Sequence, residues 1–194
     1  MNEHGDPQVV RLRPVGSHHA KSLAELHVLG LPESINSLRG KNVVAWLYQR
    51  IASDGHYVFV VQDGSEIVGA LALIDSSLPF SLGRLAAYEP LQWLRLLVTQ
   101  PLHLLRLAID AGAVERPRKM SFEHFYIASL VVSSSHKRRG IAKSLVLQAV
   151  ALSRARQRSL FVDTHRSNTA ARSLYRGVGF EEVAKTRLSV VFRA

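Results

Sequence analysis

Apolar positions along the chain recur either at every second residue or at every third and fourth, and the switches between these two periods mark out the elements. Val9-Val-Arg-Leu-Arg-Pro14 alternates apolar with basic residues, the pattern of a half-buried strand, and Pro14 ends it. From Ser17, an expected N-cap, Leu23, Leu26 and His27 share a helical face until Gly30 and Pro32 stop the helix. A second helix is predicted from Asn42 to Ala52, where Val43, Val44, Leu47 and Ile51 fall on one side, ahead of Ser53-Asp-Gly55. Tyr57-Val-Phe-Val-Val61 and Ile67-Val-Gly-Ala-Leu-Ala-Leu73 then flank Asp63-Gly64, a turn signal that predicts a hairpin.

Residues 76–117 interrupt this rhythm for about forty residues, too long for a plain connection. Two helices fit there, Leu91 to Thr99 opened by Pro90 and Leu102 to Ala111 opened by Pro101, with proline well suited to the first helical turn. Leu91, Leu94 and Leu97, and Leu102, Leu105 and Ile109, make faces too apolar to stand bare in water. They are expected to pack over the sheet or against a second copy in a homodimer. The sharper alternatives are a lid over an acceptor site and a peripheral membrane contact bearing Arg95, Arg106, Arg116, Arg118 and Lys119. Beyond the interruption a strand is predicted from Phe122 to Val132, a helix from Ile141 with Leu145, Ala149 and Leu152 at its spacing, and a short strand from Leu160 to Thr164.

Composition narrows the class. A chain of 194 residues buries about 70% of the surface it would expose unfolded, enough for one domain without a metal or disulfide staple. The absence of cysteine excludes disulfides, thiolate catalysis and cysteine-ligated zinc, and suits a reducing compartment. Met1 to Pro7 is polar and lacks the order of a secretory signal, and no run of eighteen apolar residues occurs, so a cytoplasmic protein is expected. The formal charge of +10 suits nucleic acid, an anionic membrane surface or a phosphate-rich cofactor. Neither a recognition helix nor basic residues interleaved with exposed aromatics can be read, so no nucleic-acid partner is expected. Nine histidines show no ligand spacing, and no metal is expected.

The candidate chemistry lies at Ala128-Ser-Leu-Val-Val-Ser-Ser-Ser-His136-Lys-Arg-Arg-Gly140-Ile-Ala142, where an apolar strand empties into a basic turn and then a helix. The first N–H groups of that helix, on Arg139 to Ala142, have no carbonyl partner within it, and the helix dipole adds roughly half a positive charge there. Gly140 and Ala142 are small enough for an anion to approach the main chain, with Lys137, Arg138, Arg139 and Lys143 supplying cationic charge around it. The stretch therefore reads as a phosphate cradle.

A second cluster, Asn168-x-x-Ala171-x-x-Leu174-Tyr175-x-x-x-Gly179-Phe180, follows downstream. Together the two clusters resemble the GNAT superfamily of N-acetyltransferases, whose acyl-CoA signature of Arg or Gln, two residues, Gly, one residue and Gly or Ala stands here as Lys137-Arg-Arg-Gly140-Ile-Ala142. Lysine at the first position departs from that signature in one side chain and leaves the amide cradle intact. The resemblance is close over about the last third of the chain and looser over the first seventy or so residues, where strand, two helices and hairpin follow the family's order. It implies an α/β (α+β) fold with a mixed, mostly antiparallel central sheet flanked by helices, here with a helical insertion over 76–117 between the third and fourth strands of a single domain, 1–194.

The resemblance also implies roles. Acetyl-CoA would be the acyl donor, its phosphates held by Lys137, Arg138, Arg139, Gly140, Ile141, Ala142 and Lys143, and its pantetheine amides paired with main chain at Leu130, Val131 and Val132. Asn168 would bond the pantetheine arm; read from the residues alone, it caps a helix. Tyr175 would protonate the leaving thiolate, the alternative being an aromatic packed beside Leu174 and Phe180. Bases in the family often sit on the strand before the cradle, an odd number of residues before its first position, which selects His124 and Tyr126, thirteen and eleven residues before Lys137. Strand alternation puts His124, Tyr126, Ala128 and Leu130 on one face unless a bulge intervenes, in which case Glu123 becomes the candidate. His124 could equally lie idle at the strand's wet end. Glu33 is placed to hold a cationic acceptor, a small-molecule or protein amine. With no cysteine and no serine in an elbow motif, the acceptor amine is the expected nucleophile. From another class, the chain could be a catalytically silent acyl-CoA-binding sensor or scaffold.

Overall fold

The computed structural model describes residues 8–12, 15–78, 90–99, 101, 102, 104, 105 and 122–194. Its elements are β1 (Val9–Leu12), α1 (Ser17–Gly30), α2 (Ile35–Arg39), α3 (Lys41–Ser53), β2 (Tyr57–Asp63), β3 (Glu66–Asp75), α4 (Pro90–Thr99), β4 (His124–Val132), α5 (Ile141–Ala155), β5 (Ser159–His165), α6 (Thr169–Gly177), β6 (Glu181–Lys185) and β7 (Ser189–Arg193). Seven strands form one sheet in the order β1-β2-β3-β4-β5-β7-β6. Every neighbouring pair is antiparallel except β4 and β5, which are joined by α5 as a crossover and run parallel.

The predicted periods account for most of these elements. In α1 Leu23, Leu26 and His27 are buried, and in α3 Val43, Val44, Leu47 and Ile51 are buried, so each helix turns the apolar stripe read from its sequence toward the sheet. Gly64 at φ +59° turns the hairpin between Asp63 and Glu66. The N-cap of α1 is Gly16 rather than Ser17: Ser17 is already helical, and no side chain caps this terminus. The five-residue α2, capped by the Ser34 hydroxyl accepting from Ser37 N–H, is too short to leave a period, and the C-terminal hairpin β6–β7 also leaves none. Most of β7 is buried because it is inserted between β5 and β6, whereas β6 is an edge strand carrying Glu and Lys, side chains that discourage further pairing.

The sheet divides the core. One face, with Phe59, Leu71, Leu73, Phe125, Ile127, Val162 and Phe192, packs on α5 and α6. The other, with Val58, Val60, Ala70, Ala72 and Val131, packs on α1 and α3. Two glycines let helices press onto strands: a Cβ on Gly30 of α1 would lie 2.2 Å from Val131 Cγ2, and one on Gly69 of β3 would lie 2.5 Å from Ile141 Cγ2 of α5.

The insertion corrects an expectation. Leu91, Leu94 and Leu97 of α4 are 76%, 59% and 59% exposed, and Leu102 and Leu105 are exposed as well, so these side chains do not pack over the sheet. Of the second predicted helix, residues 102, 104 and 105 are helical; Ile109 and the rest of its span lie outside the described residues. Among the described residues no helix is long and apolar enough to cross a membrane.

Adding a methyl at Gly69 forces β3 away from the first turn of α5. Gly69→Ala is expected to cost about 1–3 kcal/mol in urea unfolding, whereas Gly177→Ala, in α6 with nothing within 4 Å of its Cβ, should be neutral or stabilising.

Candidate active site

The site is built where two parallel strands part. The β4–β5 register runs His124↔Ser159 to Ile127↔Val162 and stops there, while β4 continues to Val132 along β3 and β5 continues to His165 along β7. The parting coincides with a bulge: Ala72 opposes Ser129 and Leu73 opposes Ile127, leaving Ala128 unpaired and exposed. A single extra residue reverses the facing of everything after it. Tyr126 therefore shares a face with Ser129 and Val131, and Leu130 and Val132 turn to the α5 side, which overturns the expected common face of His124, Tyr126, Ala128 and Leu130. Leu130 to Val132 thus present main chain at the mouth of a fork.

The cradle lies at the end of β4. A short 3-10 turn, Ser134–His136, is pinned where His136 Nε2 lies 3.1 Å from the Asp63 carboxylate and Ser135 Oγ lies 2.8 Å from Nδ1. Arg138 at φ +62° and Gly140 at φ +80° then adopt left-handed backbone, a geometry that gathers successive N–H groups into an anion-binding concavity. Gly140 is the N-cap of α5 and offers no side chain to the first amides of that fifteen-residue helix. A Cβ built on Gly140 meets nothing within 4 Å, so the space beside the N-cap is open. Lys137, Arg138, Arg139 and Lys143 are exposed, and among the described residues none of the four is ion-paired. These features fit a diphosphate.

At the crotch of the fork stands Asp163, the first β5 residue past the last β4 rung. The Tyr126 hydroxyl donates to its carboxylate. Its charge also reaches Tyr175 on α6, whose phenol is pushed well above the usual tyrosine range, first by burial and then by Asp163. Tyr175 is 4% exposed, with its ring against Phe180 and Phe192, so the packing role read from the sequence is real. The helix carrying it is anchored at both ends. Asn168 Oδ1 caps it by accepting from Ala171 N–H at 3.0 Å, and Glu182 of β6 is ion-paired with Arg172 and Arg176 of α6 and with Lys185. Its carboxyl is held down to about 2, chiefly by Lys185.

The other base candidates lie elsewhere. His124 is buried at the start of β4, its Nδ1 2.9 Å from the Phe122 carbonyl and its ring edge-on to Phe161. The bulge at Ala128 lies four positions further on, about 13 Å along a strand. Glu123, the candidate if a bulge intervened, is tied to Arg158, which also holds Asp75; the bulge falls beyond Tyr126 and leaves Glu123 at the far end. Asp163 carries no sequence motif of its own, because its place at the fork comes from partners distant in sequence. Its one visible signal is a carboxylate within the predicted strand Leu160 to Thr164, directly after the apolar run Leu160 to Val162.

On the α1 and α3 face of the sheet a buried polar chain reaches the bulge. Ser129 Oγ lies 3.2 Å from Tyr48 Oη, Tyr48 Oη lies 3.1 Å from His27 Nδ1, and His27 Nε2 lies 3.3 Å from Ser34 Oγ. Burial pushes His27 down to about 4 and Tyr48 up to about 12, so both are neutral at pH 7. Glu33, next to Ser34, is exposed in the α1–α2 turn.

An anion cradle at a helix N-terminus, a fork between parallel strands and a carboxylate bonded by a phenol at its crotch describe an acyl-transfer scaffold. Residues 21–180 match the family model for the acetyltransferase (GNAT) family, and the chain belongs to that family. No curated protein matches the sequence. Among solved structures, Arabidopsis thaliana NAA60 in complex with acetyl-CoA is similar at TM-score 0.60 and 16% identity, with 96% of this chain and 97% of that one covered. The ribosomal-protein-alanine N-acetyltransferase from Brucella melitensis is similar at 0.58 and 16%, covering 96% and 98%. Aminoglycoside 6'-acetyltransferase type Ii is similar at 0.62 and 12%, covering 96% of each. At these identities the likeness is one of fold.

The neutral His27 sets an acid limit on stability. The unfolded chain binds a proton near pH 6.5 that the folded chain refuses down to about pH 4, so stability is full above 6.5 and falls as pH drops through that window. Between pH 7 and pH 5 the loss from this group is about 2 kcal/mol. His56, also pushed down by burial, adds a loss of the same sign. Urea unfolding at the two pH values should show His27→Gln losing about 2 kcal/mol less than the wild type, whatever its own stability at pH 7.

Proposed function

We propose that this protein is an acetyl-CoA-dependent N-acetyltransferase that passes an acetyl group directly to a primary amine. The observation that carries the reading is the fork beyond Ile127 and Val162, with an open amide cradle at one end and Asp163, bonded by Tyr126, at the other. The amides of Gly140, Ile141 and Ala142 hold the diphosphate, with Lys137, Arg138, Arg139 and Lys143 around it, and main chain at Leu130, Val131 and Val132 pairs with the pantetheine arm. Asn168, whose side-chain oxygen is used in capping, offers its remaining N–H groups to that arm. When bound, acetyl-CoA supplies an activated acyl carbon and a thiolate leaving group.

The residues at the fork divide the proton work. An amine attacks only as the free base, and at pH 7 that costs about 4–5 kcal/mol for a lysine-like ammonium and about 1 kcal/mol for an α-amino group. Asp163 takes that proton, held in place by the Tyr126 hydroxyl. Tyr126 is therefore a positioning donor, and the base assignment moves from Tyr126 and His124 to their neighbour on β5. Tyr175 remains protonated throughout the neutral range, so it can donate to a thiolate whose own pKa resembles cysteine's, near 8.5. No acyl-enzyme is formed. Glu33 draws cationic acceptors toward the α1–α2 turn. The acceptor class stays broad, because proteins of this fold include ones named for ribosomal-protein alanine and for aminoglycosides.

Calorimetry with acetyl-CoA and thiol release with amine probes test the reading. Asp163→Asn should lower kcat about 10²–10⁴-fold, and Tyr175→Phe at least about tenfold, both with acetyl-CoA affinity near normal. Binding without release to any amine would favour the sensor instead. Gly140→Glu, which puts bulk and negative charge into the open space beside the α5 N-cap, should abolish acetyl-CoA binding while the protein stays folded by circular dichroism. Normal binding by that variant would displace the cradle.

A further inference from the structure

The mechanism above leaves one buried polar system unused, the chain of side chains that begins beside the bulge and ends on α2. Its five members come from α1, α2, α3, β4 and the turn before α2, and hydrogen-bond logic fixes the direction in which they donate. Ser37 N–H donates to Ser34 Oγ at 3.1 Å, and Ser34 gives its own proton to Ser37 Oγ at 2.8 Å. Ser34 has no second proton, so His27 Nε2, 3.3 Å away, must be the donor to it. A neutral imidazole carries one proton, which leaves Nδ1 bare, and the Tyr48 hydroxyl must donate to that nitrogen at 3.1 Å. Tyr48 then has only lone pairs for Ser129, whose hydroxyl must donate to it at 3.2 Å.

Every side-chain proton that links one member to the next points from β4 toward α2. Ser129 is thus left with its proton committed and its oxygen lone pairs unspent. It is half-buried, follows the exposed Ala128 directly, and shares its face of the sheet with Tyr126 and hence with Asp163. A serine on a wet surface can turn to donate or accept; this one is held as an acceptor.

Building on the transfer reading, we infer that Ser129 Oγ accepts a hydrogen bond from the amino group of the acyl acceptor, held in that sense by the one-way chain through Tyr48, His27, Ser34 and Ser37. The partner it selects is an N–H donor. Ser129 binds the acceptor, and Tyr48 and His27 are positioning residues that act through it.

Two measurements test this. In ¹⁵N spectra of the ring nitrogens at pH 7, His27 should show a protonated Nε2 and a bare Nδ1; a protonated Nδ1 would reverse the chain and overturn the inference without any assay of activity. Thiol release from acetyl-CoA is then followed with an unblocked alanyl peptide and an α-blocked lysine amide as acceptors. Ser129→Ala should raise the acceptor KM roughly tenfold and leave acetyl-CoA affinity by calorimetry unchanged, and Ser129→Thr, which keeps the hydroxyl, should restore most of the loss. An acceptor KM unmoved by Ser129→Ala, with release intact, sinks the inference alone. Absence of release with both probes and with an amine panel that includes an aminoglycoside and a polyamine, on wild-type protein shown to bind acetyl-CoA, overturns the transfer reading beneath it.

Discussion

The structure depends on two parallel strands that stay paired for four residues and then separate. Parallel strands normally gain by pairing along their whole length, because each rung satisfies backbone groups that would otherwise need water. Here β4 is committed to β3 and β5 to β7, and each follows its own antiparallel partner past Ile127 and Val162. The extra residue at Ala128 adds local twist to β4 where the separation begins. A gap lined with main-chain hydrogen-bonding groups is left in the middle of a sheet, flanked by fully formed core on both sides. The rest of the site is arranged around that gap.

Burial then sorts the polar groups near the gap into fixed protonation states. His27 and Tyr48 are neutral because water is excluded from both, and their hydrogen bonds follow from that neutrality. Tyr175 is kept protonated by the same exclusion with a carboxylate near it. The cradle is the reverse case: its cations are exposed, its backbone is turned inward by left-handed residues, and its field is that of a helix end with no capping side chain. One end of the site is thus tuned by desolvation and the other by open, solvated charge.

Much of this architecture was legible in the sequence because the signals were local. Helix stripes such as Val43, Val44, Leu47 and Ile51, the Asp63-Gly64 turn, and the strand, basic turn and helix around Gly140 each declare themselves within a dozen residues. What stayed hidden is set by pairing. Nothing in Ile127-Ala-Ser129 announces a bulge, since its position is decided by the register with β3. Asp163 gains its importance from Tyr126, 37 positions away, and Ser129 from Tyr48, 81 positions away. The exposure of the α4 leucines is hidden for a related reason: an apolar face says that something should cover it, not what does.

The close seating of α5 on β3 has a consequence for size. Gly69 lets the first turn of α5 sit directly on β3 beneath Ile141, and the loop before the helix is fastened to β2 through His136 and Asp63. The cradle at the start of α5 and the carboxylate of Asp163 are therefore set apart by a closely packed span. Such a span works as a ruler. On the proposed reading, thioesters whose arms are cut short or drawn out would hold on by their phosphates yet carry the acyl carbon to the wrong place.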